Sequence, residues 1–353
     1  MNQLKANVEH PKLDALHRRL AENSLGGHWQ TRERVEKLEP YVWSWSVIYS
    51  CLMESGEVVK LGHVGEAANR RTVQLVNPSL VAQKSTSRTL QMSIQLVKPG
   101  ERAECHRHTA AALRFVVEGD GTGYTNVEGE QMFMEPGDLV LTPNWTWHDH
   151  FNSGDKPIVW LDVLDVHMAH YLDAQFEEIY GEGPAQPVLK ADGYCWQQLG
   201  NVRPRAETMA SEALPCTYKW RDTRKALENI AATGPSDQFD GVLLEYTNPL
   251  TGGPTMPTIG CWIQWLAPGE TTKPHRHTST TIYHVVQGQG VTTVGENPGS
   301  GQDLMWDTKD CLLVPSWKWH WHRNTSKKEP AIVFSVTDQP VLKSLGLYRE
   351  ERY

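Results

Sequence analysis

One stretch of this sequence occurs twice. His106-Arg107-His108-Thr109 returns 169 residues later as His275-Arg276-His277-Thr278. Pro143-x-Trp145-x-Trp147-His148-x-His150-x-Asn152 returns 172 residues later as Pro315-x-Trp317-x-Trp319-His320-x-His322-x-Asn324. Upstream of both, Asn77-Pro78 is matched by Asn248-Pro249. Motifs that recur in order at a nearly fixed offset are the signature of a duplicated structural unit. The small drift in offset falls near Gly295-Glu296-Asn297-Pro298-Gly299, where turn residues tolerate insertion. A chain of 353 residues is long enough for two domains of ordinary size, so it folds as two copies of one domain.

Each copy reads as β-sheet. Ala112–Val117 runs into Glu118-Gly119-Asp120-Gly121, and Thr281–Val286 runs into Gln287-Gly288-Gln289-Gly290. A β-branched or aromatic run stopped by glycines is a strand entering a tight turn. Asp138–Pro143 and Asp310–Pro315 repeat the pattern. Many short strands with regular turns predict a mainly β fold of two tandem jelly-roll barrels with a few peripheral helices. Helices are expected in three places: 11–25, where Leu13, Leu16 and Leu20 share a face and Gly26 is a stop, 167–180, and 222–232. The boundaries that follow are a helical arm over 1–40, a first β-domain over 41–185, a connection over 186–215 and a second β-domain over 216–353.

Composition narrows the function. A formal charge of −8 argues against a nucleic-acid or anionic-membrane binder. No apolar run approaches the roughly 18 residues of a membrane span, and the first ten residues have no signal-peptide pattern. The six scattered cysteines include no Cys-x-x-Cys pair. A soluble, cytoplasmic protein with reduced thiols is the expectation.

The repeated histidines carry the chemistry. Two His separated by one residue on a strand project to the same face. His106 and His108 form such a pair, and His148 from another strand completes a facial set. Neutral imidazoles suit iron, copper, nickel or zinc, and a three-ligand facial set leaves positions open for substrate and oxygen. His275, His277 and His320 are a possible second metal set. Arg114 lies an even step beyond His108 and is expected on the same face. His150, two residues beyond His148, has the side chain suited to proton transfer near neutral pH.

These residues resemble the cupin superfamily. Its first motif is matched by Gly100, His106, His108 and Gly119, and its second by Gly137, Pro143, His148 and Asn152. The second copy matches through Gly269, His275, His277, Gly288, Pro315, His320 and Asn324, with Lys309 at the second-motif glycine. The usual cupin glutamate ligand is missing from both copies. Longer stretches, His106–Gly121, Leu141–His150, Trp160–Asp165 and Tyr246–Thr258, resemble the family of gentisate, salicylate and 1-hydroxy-2-naphthoate dioxygenases.

That resemblance implies a bicupin, commonly a homotetramer, that uses non-haem Fe(II) and O2 to cleave an aromatic ring between its carboxyl-bearing and hydroxyl-bearing carbons, as in aromatic-compound degradation. The implied ligands are His106, His108 and His148. Arg114 and Arg70 would contact the substrate carboxylate, and Gln95 would hydrogen-bond in the pocket. His150 would be the base, with Asp162 orienting it. Gln91 stands where the family usually carries an aromatic residue, and Ser93 at the small-residue position that influences ring substituents. The expected substrate is a 2-hydroxybenzoate, gentisate first and a 5-substituted salicylate next. The alternatives are a 1-hydroxy-2-naphthoate dioxygenase, another three-His cupin oxygenase and, last, a non-enzymatic binding bicupin.

Overall fold

The computed structural model of the chain describes residues 11–27, 29, 37–62, 68–199, 216–234 and 236–353. Most of the connection expected between the lobes, 200–215, lies outside them, as does part of the expected arm. Residues 1–37 form one compact unit and residues 38–353 another. In the first unit the helix Pro11–Glu22 carries the predicted Leu13, Leu16 and Leu20. It stops at Ser24, not Gly26: Ser24 takes φ 54° and Leu25 N–H bonds to the Leu20 carbonyl.

The second unit holds two copies of a two-sheet sandwich. In the first copy a six-stranded sheet has the order Thr217–Tyr218, Leu139–Thr142, Ala112–Glu118, Ile158–Leu164, Gln91–Val97, Thr72–Gln74. It faces a five-stranded sheet ordered Glu177–Ile179, Arg102–His108, His148–Asn152, Gly123–Val127, Glu130–Phe133. The second copy repeats this with strands of the same order and role. The sheets are jelly-roll sandwiches, not closed barrels.

Period-two alternation explains the six-stranded sheets. Leu113, Phe115, Leu161 and Val163 point to one side and join a core that also contains Ile263, Ile282, Phe334 and Val336 of the second copy. Val116, Val140 and Trp160 point the other way, into the first sandwich. Each six-stranded sheet is therefore buried on both faces, which is why its strands read as continuous apolar runs. Phe115 and Phe334 stack at 4.2 Å between ring centroids at the centre of the inter-lobe core.

The copies also exchange their edges. Tyr41–Trp43 precedes the first copy in sequence but pairs with Cys311–Val314 of the second. Thr217–Tyr218 precedes the second copy but pairs with Leu139–Thr142 of the first. Each exchanged strand leads into a helix, Trp45–Val58 or Trp220–Thr233, that packs on its own copy. The helix ends are capped across the exchange: Trp45 N–H donates to Asp310 Oδ1 and Trp220 N–H to Asp138 Oδ1, both at 2.7 Å. So residues 41–43, read above as part of the first β-domain, lie in the second lobe's sheet, and 217–218 in the first's. The helix Trp45–Val58 was not foreseen, because Trp45, Val47, Ile48 and Tyr49 are strand formers that helical packing overrides. The stretch expected to be helical over 167–180 is helical only over Val166–Tyr171 and ends in the edge strand Glu177–Ile179. Among the described residues no helix is long and apolar enough to cross a membrane.

Candidate metal centre

His106 and His148 are cross-strand partners in the first lobe's five-stranded sheet, and His108 closes the same strand as His106. One nitrogen from each lies within 4.8 Å of the others. Two rings are fixed by backbone: His108 Nδ1–H donates to Ala110 O (2.7 Å) and His148 Nδ1–H to Thr146 O (2.9 Å). That tautomer leaves Nε2 as a lone pair, the form a metal requires. Burial, with Arg70 and Arg114 nearby, pushes all three imidazoles below their ordinary range, His108 to about 4. They are neutral at pH 7.

The facing six-stranded sheet supplies the other groups in one row. Ser93, Asp162 and Arg114 are successive cross-strand partners, with Gln95 and Trp160 paired one step along. Arg114 alternates with Leu113 and Phe115, which face the inter-lobe core, so its side chain enters the sandwich. It reaches the histidines from a different strand and a different sheet than His108. The same-strand argument made from spacing fails, because the chain crosses between sheets at 109–111. Arg114 Nη1 donates to Thr142 Oγ1, and Nε lies 3.9 Å from Asp162 Oδ1 without a hydrogen bond. Arg70 is half-buried and tethered through Asn69 O and Glu104 O at 2.8 and 3.0 Å. Burial and the neighbouring Arg114 bring it down to about 10, still charged at neutral pH.

His150 projects from the five-stranded sheet and packs its ring 5.1 Å from Trp160. The expected partner, Asp162, is not what orients it. His150 Nδ1 bonds to Thr125 Oγ1 at 2.8 Å, since Thr125 is its cross-strand neighbour, whereas Asp162 sits on the opposite sheet beside Arg114. Thr125 Oγ1 also lies 3.3 Å from Met134 Sδ, and His150 Nε2 is buried without a hydrogen-bond partner. Burial first, then the two guanidinium groups, holds His150 well below the ordinary histidine range. Burial raises Asp162 against the pull of Arg114 and Arg70.

Gln91 and Ser93 are buried on the same strand as Gln95. The Gln91 amide is fully engaged: Nε2 donates to Thr86 Oγ1 (3.0 Å) and Met92 O (2.9 Å), and Oε1 accepts from Thr86 N and from His167 Nε2 (2.9 Å). It is therefore not a free group for an incoming substituent. Gln95 is the opposite case, fully buried with neither amide atom partnered.

Among the described residues, sixteen buried side-chain polar atoms lack a partner, and eight belong to this one site: Gln95 (two), His106, Arg114, His148, His150, Trp160 and Asp162. Each such atom costs about 1–3 kcal/mol unless a ligand satisfies it. Their convergence describes a site shaped for a metal ion and a polar ligand. Thr125, Thr142 and His167 were missed from sequence. For Thr125 a signal existed, since Gly123-x-Thr125 recurs as Gly290-x-Thr292, and Thr292 holds His322 Nδ1 at 2.9 Å.

Comparison with known proteins agrees with this geometry. A cupin domain model matches residues 93–164 and 262–337. The chain is 39% identical over 350 residues to a 5-aminosalicylate 1,2-dioxygenase of Comamonas sp., covering 97% of this chain and 90% of that one. It is 37% identical to a 1-hydroxy-2-naphthoate 1,2-dioxygenase of Nocardioides sp. strain KP7, covering 96% and 87%. Salicylate 1,2-dioxygenase from Pseudoaminobacter salicylatoxidans, solved with gentisate, superposes with a TM-score of 0.87 at 30% identity, covering 100% of this chain and 97% of that one. Two duplicated cupin lobes, a three-histidine cluster and full-length likeness to these enzymes converge on one conclusion: the chain belongs to the gentisate/salicylate 1,2-dioxygenase family of ring-cleaving bicupins.

Proposed function

We propose that the first lobe holds Fe(II) on His106, His108 and His148 and uses O2 to open the ring of a 2-hydroxybenzoate, gentisate or a 5-substituted salicylate, between its carboxyl-bearing and hydroxyl-bearing carbons. The observation that carries this reading is the set of buried unpartnered polar atoms, which is complementary to a carboxylate, a phenol and a metal ion together. Ferrous iron, when bound, supplies Lewis acidity toward the substrate oxygens and one-electron access to O2. The substrates in two relatives' names, 5-aminosalicylate and 1-hydroxy-2-naphthoate, share the 2-hydroxy-carboxylate element.

The chain's residues divide the remaining work. Arg114 and Arg70 bind the carboxylate, Arg114 with an Nε–H that has no acceptor of its own. A guanidinium presents a planar fork to a carboxylate, and burial strengthens the pair. Asp162 keeps Arg114 aimed from 3.9 Å. His150, neutral and bare at Nε2, takes the phenolic proton, while Thr125 fixes its ring. Gln95 hydrogen-bonds the bound acid, and Trp160 and the apolar sandwich behind it exclude water. Ser93 leaves room in the Arg114 row for a ring substituent. The exposed Tyr171, Leu172 and Phe176 support assembly into a homo-oligomer, a tetramer by family likeness.

The test is anaerobic loading with Fe(II), then O2 uptake with gentisate, salicylate, 5-aminosalicylate, other 5-substituted salicylates and 1-hydroxy-2-naphthoate. Uptake with a 2-hydroxybenzoate, abolished in His106→Ala together with one iron per chain, is expected. No uptake with any of the panel would overturn the reading.

A further inference from the structure

Asp338 follows the strand Ala331–Thr337 of the second lobe and leads into the helix Gln339–Ser344. The residue is 4% exposed. Its Oδ1 accepts from Thr280 N–H in its own lobe at 2.9 Å. Its Oδ2 accepts from the hydroxyl of Thr89, 249 residues away in the first lobe, at 2.7 Å. Burial raises the carboxyl to about 6 against the pull of these two bonds, so at pH 7 it is mostly ionised and both bonds are charge-assisted. The bond within the lobe recurs in the other copy, where Asp165 follows Ile158–Leu164 and its Oδ1 accepts from Ala111 N–H at 2.8 Å. In each case the peptide group gripped is the one whose carbonyl fixes a histidine ring, Ala110 O for His108 and Ser279 O for His277 (2.9 Å). His275, His277 and His320 stand together in the second lobe as His106, His108 and His148 do in the first. The bond to Thr89 is the one that leaves the copy.

Thr89 ends a hydroxyl-rich turn, Ser85-Thr86-Ser87-Arg88-Thr89, that runs directly into the strand Gln91–Val97. Ser87 Oγ accepts from Leu90 N–H (2.8 Å), and Thr86 Oγ1 accepts from Met92 N–H and from Gln91 Nε2 (both 3.0 Å). The outer neighbour Thr72–Gln74 pairs with this strand only as far as Ser93. Beyond that point the hydroxyls of the turn satisfy backbone groups that a longer neighbour would have paired. Gln91, Ser93 and Gln95 point into the first sandwich, alternating with Met92, Ile94 and Leu96 of the inter-lobe core. Ser93 is the cross-strand partner of Asp162, which is in turn the partner of Arg114. The turn therefore sets where three pocket side chains stand relative to Arg114, and one of its anchors is a carboxylate of the other lobe.

We propose that Asp338, a residue of the second lobe, is a positioning residue for the reaction of the first. It holds Thr89, and through Thr89 the start of the strand whose Gln91, Ser93 and Gln95 line the substrate pocket. When the bond is removed, the turn is held from its own lobe alone and the row is free to shift against Arg114. Ser93 is the residue beside the ring substituent, so the effect falls on discrimination between substituted rings more than on the chemical step. The inference rests on the function proposed for the first lobe.

Two readouts on the full-length, Fe(II)-loaded chain test it. Thr89→Val removes the hydroxyl at nearly constant shape. It should change the ratio of kcat/KM for 5-aminosalicylate over salicylate roughly three- to tenfold, through KM rather than kcat. Backbone hydrogen exchange over 85–97 should quicken in the same variant. Thr89→Ser, which keeps the hydroxyl, should restore both. Asp338→Ala should shift the ratio as Thr89→Val does, and adding Thr89→Val to it should shift the ratio no further. Asp338→Asn takes its place if Asp338→Ala does not fold. Effects that multiply in the double variant would overturn the coupling. Faster exchange with an unchanged substrate ratio would overturn the positioning role, leaving a purely structural bond. Exchange in Thr89→Val as slow as in the wild type would overturn the hold of Asp338 on the strand, whatever the activity. A wild type that turns over no 2-hydroxybenzoate would instead overturn the function proposed for the first lobe.

Discussion

Arg114 shows how one side chain is read at two levels. Its place in the sequence suggested the right cavity by the wrong route, since an even step from His108 means nothing once the chain has changed sheets. What brings it inward is alternation with Leu113 and Phe115 on a sheet buried on both faces. In the folded chain it is a buried cation with one distant carboxylate. Arg114→Ala is expected to cost about 2–4 kcal/mol of substrate capture, on the order of 30- to 1000-fold in kcat/KM. Steady-state O2 uptake should show this mainly in KM, with the iron content unchanged; a collapse of kcat at constant KM would assign the residue another role. The metal-set histidines were legible because His-x-His on a strand has only one geometric meaning. The partner of His150 was not, because cross-strand pairing with Thr125 depends on a register that no local pattern states.

The helices entering each lobe are the elements that local sequence described least. Trp45–Val58 has strand-like residues and an N-terminus whose acceptor, Asp310, is 265 residues away. Trp220–Thr233 uses Asp138 in the same manner, and Asp138 also accepts from Lys219 Nζ (3.1 Å) and Glu135 N (3.1 Å). Removing a helix-capping acceptor costs about 0.5–2 kcal/mol, and a buried orphan N–H adds to it. Asp138→Ala and Asp310→Ala should each lower the denaturant midpoint by an amount equivalent to about 1–3 kcal/mol. A loss indistinguishable from that of a surface Asp→Ala control would show that the caps contribute nothing. The strands, by contrast, were plain in the sequence, because glycine stops and doubly buried apolar runs are local signals. Lys309 marks the limit of that legibility: it adopts φ 74° where the first lobe has Gly137 at 91°, and its ammonium bonds Glu118 of the other lobe at 2.5 Å.

At the scale of the molecule the repeat foretold two lobes but not their union. His284 lies in the inter-lobe core beside Phe115 and Cys311, and burial, helped by Lys309, pushes it down to about 3. Its imidazole is neutral in the folded chain, while the unfolded chain takes up a proton below about pH 6.5. Its stabilising contribution is thus whole above pH 6.5 and is lost as pH falls toward 3, by up to about 1.4 kcal/mol per pH unit. Urea midpoints at pH 8 and pH 5 should differ less in His284→Phe than in the wild type; an identical pH dependence would place the acid sensitivity elsewhere. The exchanged edge strands have a further consequence. A cut between the copies would leave each half without the strand that closes its sheet and the acid that caps its helix, and would give each a strand that belongs to the other. Neither half is self-sufficient, so the duplication cannot be undone by simple division. Insertions, deletions and drift in one lobe are constrained by the other.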